Sequence, residues 1–261
     1  MKMKQWLILF SKEQKEMLKN FKWIWVPLVF LILGMMQPIT SYYLPELLEK
    51  LGGLPEGAVF EIPVPTAPEV LMATLGQFSQ IGILILVLAT MGVVSSERSS
   101  GSYVMILVKP VSFTSYITAK WASISLFAIA SFFLGYLFSG YYTYILMGEF
   151  VVVDMLVAAG VYAIWLTFIM TLVLLFSSIM KSIGAIAFLT LGTTMLLSII
   201  TSLFSKVMYW SPARLSTHSN SILLTSSGAD HFWLNLAVTI SLIVILLLVT
   251  IQLFKKKELV S

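Results

Sequence analysis

Residues Phe232–Phe254, FWLNLAVTISLIVILLLVTIQLF, run for 23 positions without a charged side chain, and three lysines follow them directly. A helix needs about 20 apolar residues to cross the hydrocarbon core of a bilayer. The stretch therefore predicts a membrane-spanning helix that ends at the lysines. It decides the fold class because five more stretches of the same kind precede it.

Those five stretches divide the rest of the chain into predicted spans. They are Ile24–Tyr43, Val70–Val94, Thr114–Tyr136, Val152–Phe176 and Ile183–Phe204. Only Lys120 and Asp154 carry a charge within them, each in the first two turns of its span. Charged residues make up 11% of the chain, against about 25% in soluble domains. We therefore predict an all-α membrane protein with six transmembrane helices and no room for a soluble catalytic domain.

The segments outside the spans define the domain organisation. Residues 1–22 predict an amphipathic interfacial helix, because apolar side chains recur there every three or four positions between lysines. Residues 23–254 form a single transmembrane domain, with a cytoplasmic loop at 95–113 and outer loops at 44–69 and 205–231. The last loop is apolar enough to predict short helices at, or dipping into, the outer membrane surface. Residues 255–261 are a cytoplasmic tail.

The distribution of charge predicts the orientation. With both termini in the cytoplasm, 13 of the 16 basic residues face the cytoplasm and 8 of the 12 acidic residues face outward. This asymmetry is the one that the positive-inside rule describes. The net charge of +4 thus reflects orientation in a lipid bilayer, and we predict no nucleic-acid partner. We expect a multi-pass protein of a bacterial plasma membrane, with N- and C-termini cytoplasmic.

The loop after the second span is the most informative segment outside the spans. It reads ERSSGSYVMILVKPVS over residues 97–112. Gly101 permits a sharp turn, Ser102 is a candidate helix cap, and Tyr103–Val108 predicts a short apolar helix that Pro110 ends. Such a helix needs a cover on the cytoplasmic side, which is either the lipid headgroup region or a partner protein.

This loop resembles the signature of permease subunits of type-2 ABC exporters. That family has a Glu-Arg pair, a glycine, a leucine-rich turn, a Pro-Val-Ser step and a downstream Gly-Lys. The matching residues, in order and spacing, are Glu97, Arg98, Gly101, Leu107, Pro110, Val111, Ser112 and Lys120. Val104 stands where the family often has an acidic residue, and Ala119 replaces the glycine before Lys120.

The resemblance implies partners and roles. It implies a dimer with a second permease copy or paralogue, bound to cytosolic ABC ATPase subunits, with Tyr103–Val108 as the coupling helix. The residues that would couple to the ATPase are Glu97, Arg98, Gly101, Tyr103, Met105, Leu107, Pro110 and Lys120. The chain would then be a transport subunit rather than an enzyme, since ATP hydrolysis would occur on the partner chain.

The residues themselves agree on the source of energy. No G-x-x-x-x-G-K-[ST] phosphate-binding motif occurs in the chain. No charged residue lies in the middle of a predicted span, as proton or sodium coupling would require. Intramembrane enzymes also need acidic, histidine or Ser–Lys groups at that depth. The chain lacks cysteine, so thiolate metal sites are excluded, and we expect neither a metal nor a cofactor.

The predicted function is export of a hydrophobic or amphipathic substrate, such as a drug, an antimicrobial peptide or a lipid-like molecule. Gln77, Gln80, Thr194 and Ser198 are candidates for lining the substrate path. Packing between helices or bonding of hydroxyls to their own helix explains these residues equally well. A passive channel, or an accessory or sensor subunit without its own path, remains the alternative, and the sequence leaves homodimer and heterodimer open.

Overall fold

The computed structural model describes residues 2–51, 65–99, 101 and 112–258. Helices dominate this part of the chain, which contains no strand, so the predicted all-α fold is confirmed. The α-helices are α1 (Lys2–Lys19), α2 (Lys22–Leu51), α3 (Ala67–Gln77), α4 (Ile83–Thr90), α5 (Ser95–Ser99), α6 (Phe113–Met147), α7 (Val152–Ile179), α8 (Ile183–Leu203), α9 (Arg214–Thr225) and α10 (Phe232–Glu258). A π-helical turn, Phe78–Gly82, joins α3 to α4.

Six helical segments among the described residues are long and apolar enough to cross a membrane. They are α2, the α3–α5 segment, α6, α7, α8 and α10, in the order that the sequence predicts. α2 continues past its predicted end at Tyr43, to Leu51. α6 likewise continues to Met147 and ends at Gly148, whose φ of 95° suits glycine.

α7 is the centre of the bundle. It is the most deeply buried of the six segments, and α6, α8, α9 and α10 pack around it. α8 and α10 are mostly exposed within a single chain. Phe188 and Leu203 on α8, for example, are 75% and 72% exposed. These apolar faces are suited to contact with lipid or with another membrane subunit.

α2 and α6 form the most extensive contact between two helices. Their backbones approach most closely where Gly34 of α2 faces Gly135 of α6. A Cβ atom at either glycine would overlap with backbone atoms of the other helix. The small residues therefore permit this close approach, as they commonly do between membrane helices.

The two ends of the bundle differ in character. One end, here called the α1 end, holds α1, α5 and the lysine-rich end of α10. The opposite end, called the α9 end, holds α9, which packs against α3 and α7. Leu215 and Ile222 of α9 are buried in that contact. The connection 205–231 thus contains one α-helix with one face packed on the bundle, and its predicted place at, or dipping into, the outer membrane surface stays a prediction.

Candidate functional site

The amphipathic helix α1 is docked against α6 along one buried stripe. Leu9, Glu13 and Met17 are spaced four residues apart, so they lie on the same face of α1, and all three are buried. Polar contacts flank the stripe: Gln14 Nε2 donates to Ser123 Oγ at 2.7 Å, and Trp6 Nε1 donates to Thr118 Oγ1 at 3.1 Å. The helix predicted to lie in the membrane interface is thus attached to the bundle by its own side chains.

A carboxylate in the middle of this stripe belongs to a buried ion cluster. Lys120 Nζ on α6 lies 2.9 Å from Glu13 Oε2 and 3.0 Å from Glu97 Oε2 on α5. Lys120 is 1% exposed, Glu13 5% and Glu97 6%. A buried charge is tolerated when it is paired and hydrogen-bonded. The three charges therefore tie α1, α5 and α6 together at one point.

Lys12 and Tyr116 complete the cluster. Lys12 forms an ion pair with Glu97 and lies 3.3 Å from Glu13 Oε1, and the Tyr116 hydroxyl donates to Glu97 Oε2. Burial acts to lower the pKa of Lys12, but the neighbouring carboxylates outweigh it and raise that pKa. Two lysines thus balance the two buried glutamates. The charges of these four side chains sum to zero. The carboxylates of Glu13, Glu97 and the exposed Glu16 also lie close enough together to share a cation.

The Tyr116 ring extends the cluster to the last helix. It stacks on Phe254 of α10, with ring centroids 5.4 Å apart and planes at 24°, and the Lys120 ammonium lies 5.2 Å from the Tyr116 ring centre. Phe254 is 1% exposed. The end of α10 is therefore packed directly on the residues that hold α5 and α1.

The α5 turn is fastened on its other side to α7. The backbone N–H groups of Val94 and Ser95 both donate to Ser177 Oγ, at 3.0 and 3.1 Å. Arg98 Nη1 donates to the backbone oxygen of Ser178 at 3.2 Å. Glu97 faces α6 and α1 while Arg98 faces α7, so the Glu-Arg pair anchors α5 between three helices. The N–H groups at the start of a helix need such acceptors, since they have none within it.

The remaining residues of the predicted coupling set are divided by the limits of the described structure. Gly101 has φ of 70°, a left-handed conformation that favours glycine, and its N–H donates to the Arg98 oxygen at 3.3 Å. Ser112 caps α6 by accepting from Ser115 N at 3.1 Å. The predicted coupling-helix residues Tyr103, Met105, Leu107 and Pro110 lie outside the described residues, so their helix stays a prediction.

The four predicted path residues do not form one group. Gln77 is half-buried, with its Nε2 3.9 Å from Met36 Sδ, whereas Gln80 is exposed in the π-helical turn. Thr194 is buried and donates to the backbone oxygen of Thr190 at 2.8 Å, which is the bonding to its own helix that the sequence left open. Ser198 is exposed on α8. A path lined by all four residues would need additional helices to close it.

Sequence reasoning missed three of the five residues of the ion cluster. It singled out Glu97 and Lys120 but not Glu13, Lys12 or Tyr116. One signal was available: Glu13 occupies the position between Leu9 and Met17 on the apolar stripe of α1, where a carboxylate requires a partner. The partner of Glu13 is Lys120, the one basic residue within the predicted third span. The chain separates the two by 107 residues, so no local pattern joins them.

A second polar cluster lies at the α9 end. Asn235 Nδ2 donates to the backbone oxygens of Tyr209 and Ser211, at 2.9 and 3.1 Å, which leaves its Oδ1 as the acceptor from His218 Nε2 at 3.0 Å. His218 is 1% exposed, and its Nδ1 has no hydrogen-bond partner among the described residues. His218 Nε2 therefore carries a proton. Burial lowers the pKa of His218, and nearby Arg214 lowers it further.

Comparison with known proteins gives a relative that spans the whole chain. The uncharacterized transmembrane protein YxlG of Bacillus subtilis (strain 168) is 35% identical over 256 residues, which cover 98% of this chain and 99% of that protein. No protein-family model matches the chain.

Proposed function

The chain belongs to the family of the Bacillus subtilis transmembrane protein YxlG, and we propose that it is the membrane-spanning permease subunit of an ATP-driven exporter of the type-2 ABC class. A separate cytosolic ATPase would supply the energy. In this arrangement the α1 end faces the cytoplasm, and both termini are cytoplasmic. The orientation rests on the distribution of lysines described above.

One observation carries the proposal: the two ends of the signature loop are both built into the bundle. At its start, α5 is held between α7 and the ion cluster through Arg98 and Glu97. Past its end, Lys120 of α6 closes the same cluster onto α1. A force applied to residues 102–111 would therefore reach α1, α6 and α7 together. A loop of that kind is suited to receiving motion from a partner that changes shape.

The proposed mechanism follows from these attachments. ATP binding closes the partner ATPases, and each moves the loop helix predicted at Tyr103–Val108. The buried ion cluster passes that movement to α1 and α6, because a tightly packed, paired cluster shifts as a unit. The path lies between two permease chains. An uncharged, largely apolar lining suits a hydrophobic or amphipathic substrate.

The direct test is purification of the tagged chain from its native membrane in mild detergent. We expect a stoichiometric partner with ATPase motifs, and its identity would reveal whether a second permease accompanies it. The Gly101→Ala variant strains a left-handed turn at the root of the loop and should lose the ATPase. Gly184→Ala is the matched control, because a Cβ atom there meets no atom within 4 Å.

The outcome separates the proposal from its alternatives. A stable chain that purifies without an ATPase would favour a passive channel or an accessory subunit. Retention of the ATPase by Gly101→Ala with unchanged transport would show that the loop is not the contact. Transport measured in vesicles containing both subunits, with and without ATP, then distinguishes a driven exporter from a channel.

A further inference from the structure

A cavity of about 420 Å³ lies at the α1 end, beside the corner between α1 and α2. The corner is sharp because Phe21 adopts a left-handed conformation, φ 55°, between the two helices. The opposite wall is the break in the second span, where α4 ends and Met91–Val94 form turns before α5. The start of α8 closes the third side through Ile183. The cavity thus lies at the level where the spans begin.

The charged residues that line the cavity are Lys22, Glu16 and Glu13. Glu13 is already paired with Lys120, which leaves Lys22 and Glu16, with neutral donors, to meet a headgroup. Lys22 is half-buried at the first position of α2 and forms no ion pair among the described residues. Glu16 is exposed on the last turn of α1, with its carboxylate 3.6 Å from Lys12. Asn20 and Ser96 also line the opening. A half-buried ammonium without a fixed partner is suited to an anionic group such as a phosphodiester.

The apolar wall continues from the cavity onto the outer surface of the bundle. Trp25, Leu88 and Ile183 line the cavity and are 40%, 46% and 40% exposed. Each belongs to one of three different spans, which are α2, α4 and α8. The surface that they share is therefore an exposed apolar face of the bundle, and the cavity opens onto that face. Tryptophan beside lysine is a common pairing at headgroup level.

We propose that this cavity binds one glycerophospholipid with a phosphoethanolamine headgroup from the leaflet on the α1 side. The phosphate accepts hydrogen bonds from the Lys22 ammonium and the Asn20 amide, and the ethanolamine ammonium pairs with Glu16. One acyl chain lies along Trp25, Leu88 and Ile183. The paired charges at the mouth select a zwitterionic headgroup over an anionic one. The site is independent of whether the chain works with an ATPase.

Native mass spectrometry of the full chain tests this assignment. The chain is released from vesicles of equal parts phosphatidylethanolamine and phosphatidylglycerol, and the retained lipid is identified by mass. We expect one phosphatidylethanolamine per chain, in at least five-fold excess over phosphatidylglycerol. Lys22→Gln should remove most of the bound lipid, and Glu16→Gln should retain lipid but remove the preference. Lys19→Gln is the matched control, because Lys19 is an exposed lysine of α1 outside the cavity.

A second variant keeps the test decisive where Lys22→Gln does not fold. Ile183→Trp fills the cavity wall and leaves the charges intact, and it should also lose the lipid. Equal retention of the two lipids by the unmodified chain would overturn the proposed headgroup. Lipid loss in Lys19→Gln equal to that in Lys22→Gln, or full retention in Ile183→Trp, would overturn the site.

Discussion

Among substitutions in the ion cluster, we expect Lys120→Met to have the largest effect on stability. It removes the central cation and leaves two buried carboxylates, Glu13 and Glu97, which had been 2.9 and 3.0 Å from the ammonium. Removing one partner of a buried ion pair costs about 3–5 kcal/mol, because the other charge stays buried without compensation. At about 2–4 °C per kcal/mol for a chain of this size, the melting temperature should fall by about 6–20 °C.

Lys12→Met is the internal control for that number. Lys12 contacts the same carboxylates, but its side chain is 40% exposed, so water compensates much of its loss. Exposed pairs contribute about 0–1 kcal/mol. We therefore expect Lys12→Met to lower the melting temperature by at most about 4 °C. Both variants remove one positive charge from the same cluster, so the difference between their melting temperatures measures the effect of burial.

The assay combines thermal unfolding in detergent with hydrogen exchange of α1. In Lys120→Met, residues 2–19 should exchange faster than in the unmodified chain, since the buried anchor of α1 is gone, and in Lys12→Met they should not. Adding Glu97→Gln to Lys120→Met removes one stranded charge and should restore part of the stability, which a double-mutant cycle quantifies. Equal melting temperatures for the two lysine variants would refute the account of the cluster.

Three further predictions concern packing, pH and orientation. Gly135→Ala should lower the free energy of unfolding by about 1–3 kcal/mol, because the added Cβ atom overlaps with the backbone of α2. Gly160→Ala is the control: a Cβ atom there has no atom within 4 Å, so the melting temperature should stay unchanged or rise. Burial holds the pKa of His218 below its value in the unfolded chain, which is about 6.5, so the folded state binds fewer protons. The hydrogen-exchange protection factors of α9, which are corrected for the intrinsic pH dependence of exchange, should therefore fall as pH falls through that value; the same profile in His218→Gln would contradict this. Because the chain has no cysteine, Lys181→Cys and Lys206→Cys provide single labels: an impermeant maleimide added outside intact cells should modify only the latter, and the reverse pattern would invert the proposed orientation.

The fold was largely predictable because bilayer thickness imposes a length on each span. A run of about 20 apolar residues has few other uses, so helix type and order follow from composition alone. The ends of the helices were less predictable. α2, for example, continues to Leu51, into a segment that the sequence predicted as an outer loop.

The candidate site was predictable only in part, for a different reason. The signature loop is local in sequence and therefore visible, whereas the cluster that anchors it depends on contacts between distant residues. Trp23 illustrates the difference: its Nε1 donates to Gln14 at 2.8 Å across the α1–α2 corner, and its ring packs on Phe127 of α6. Neither contact follows from periodicity, because each depends on how helices are arranged in space.

The buried lysine of α6 also has a consequence for how the chain is made. Both of its acidic partners precede it, Glu13 by 107 residues and Glu97 by a single loop. At about 5–20 residues per second, Glu13 leaves the ribosome roughly 5–20 s before Lys120. Both carboxylates are therefore synthesised before the cation that pairs with them.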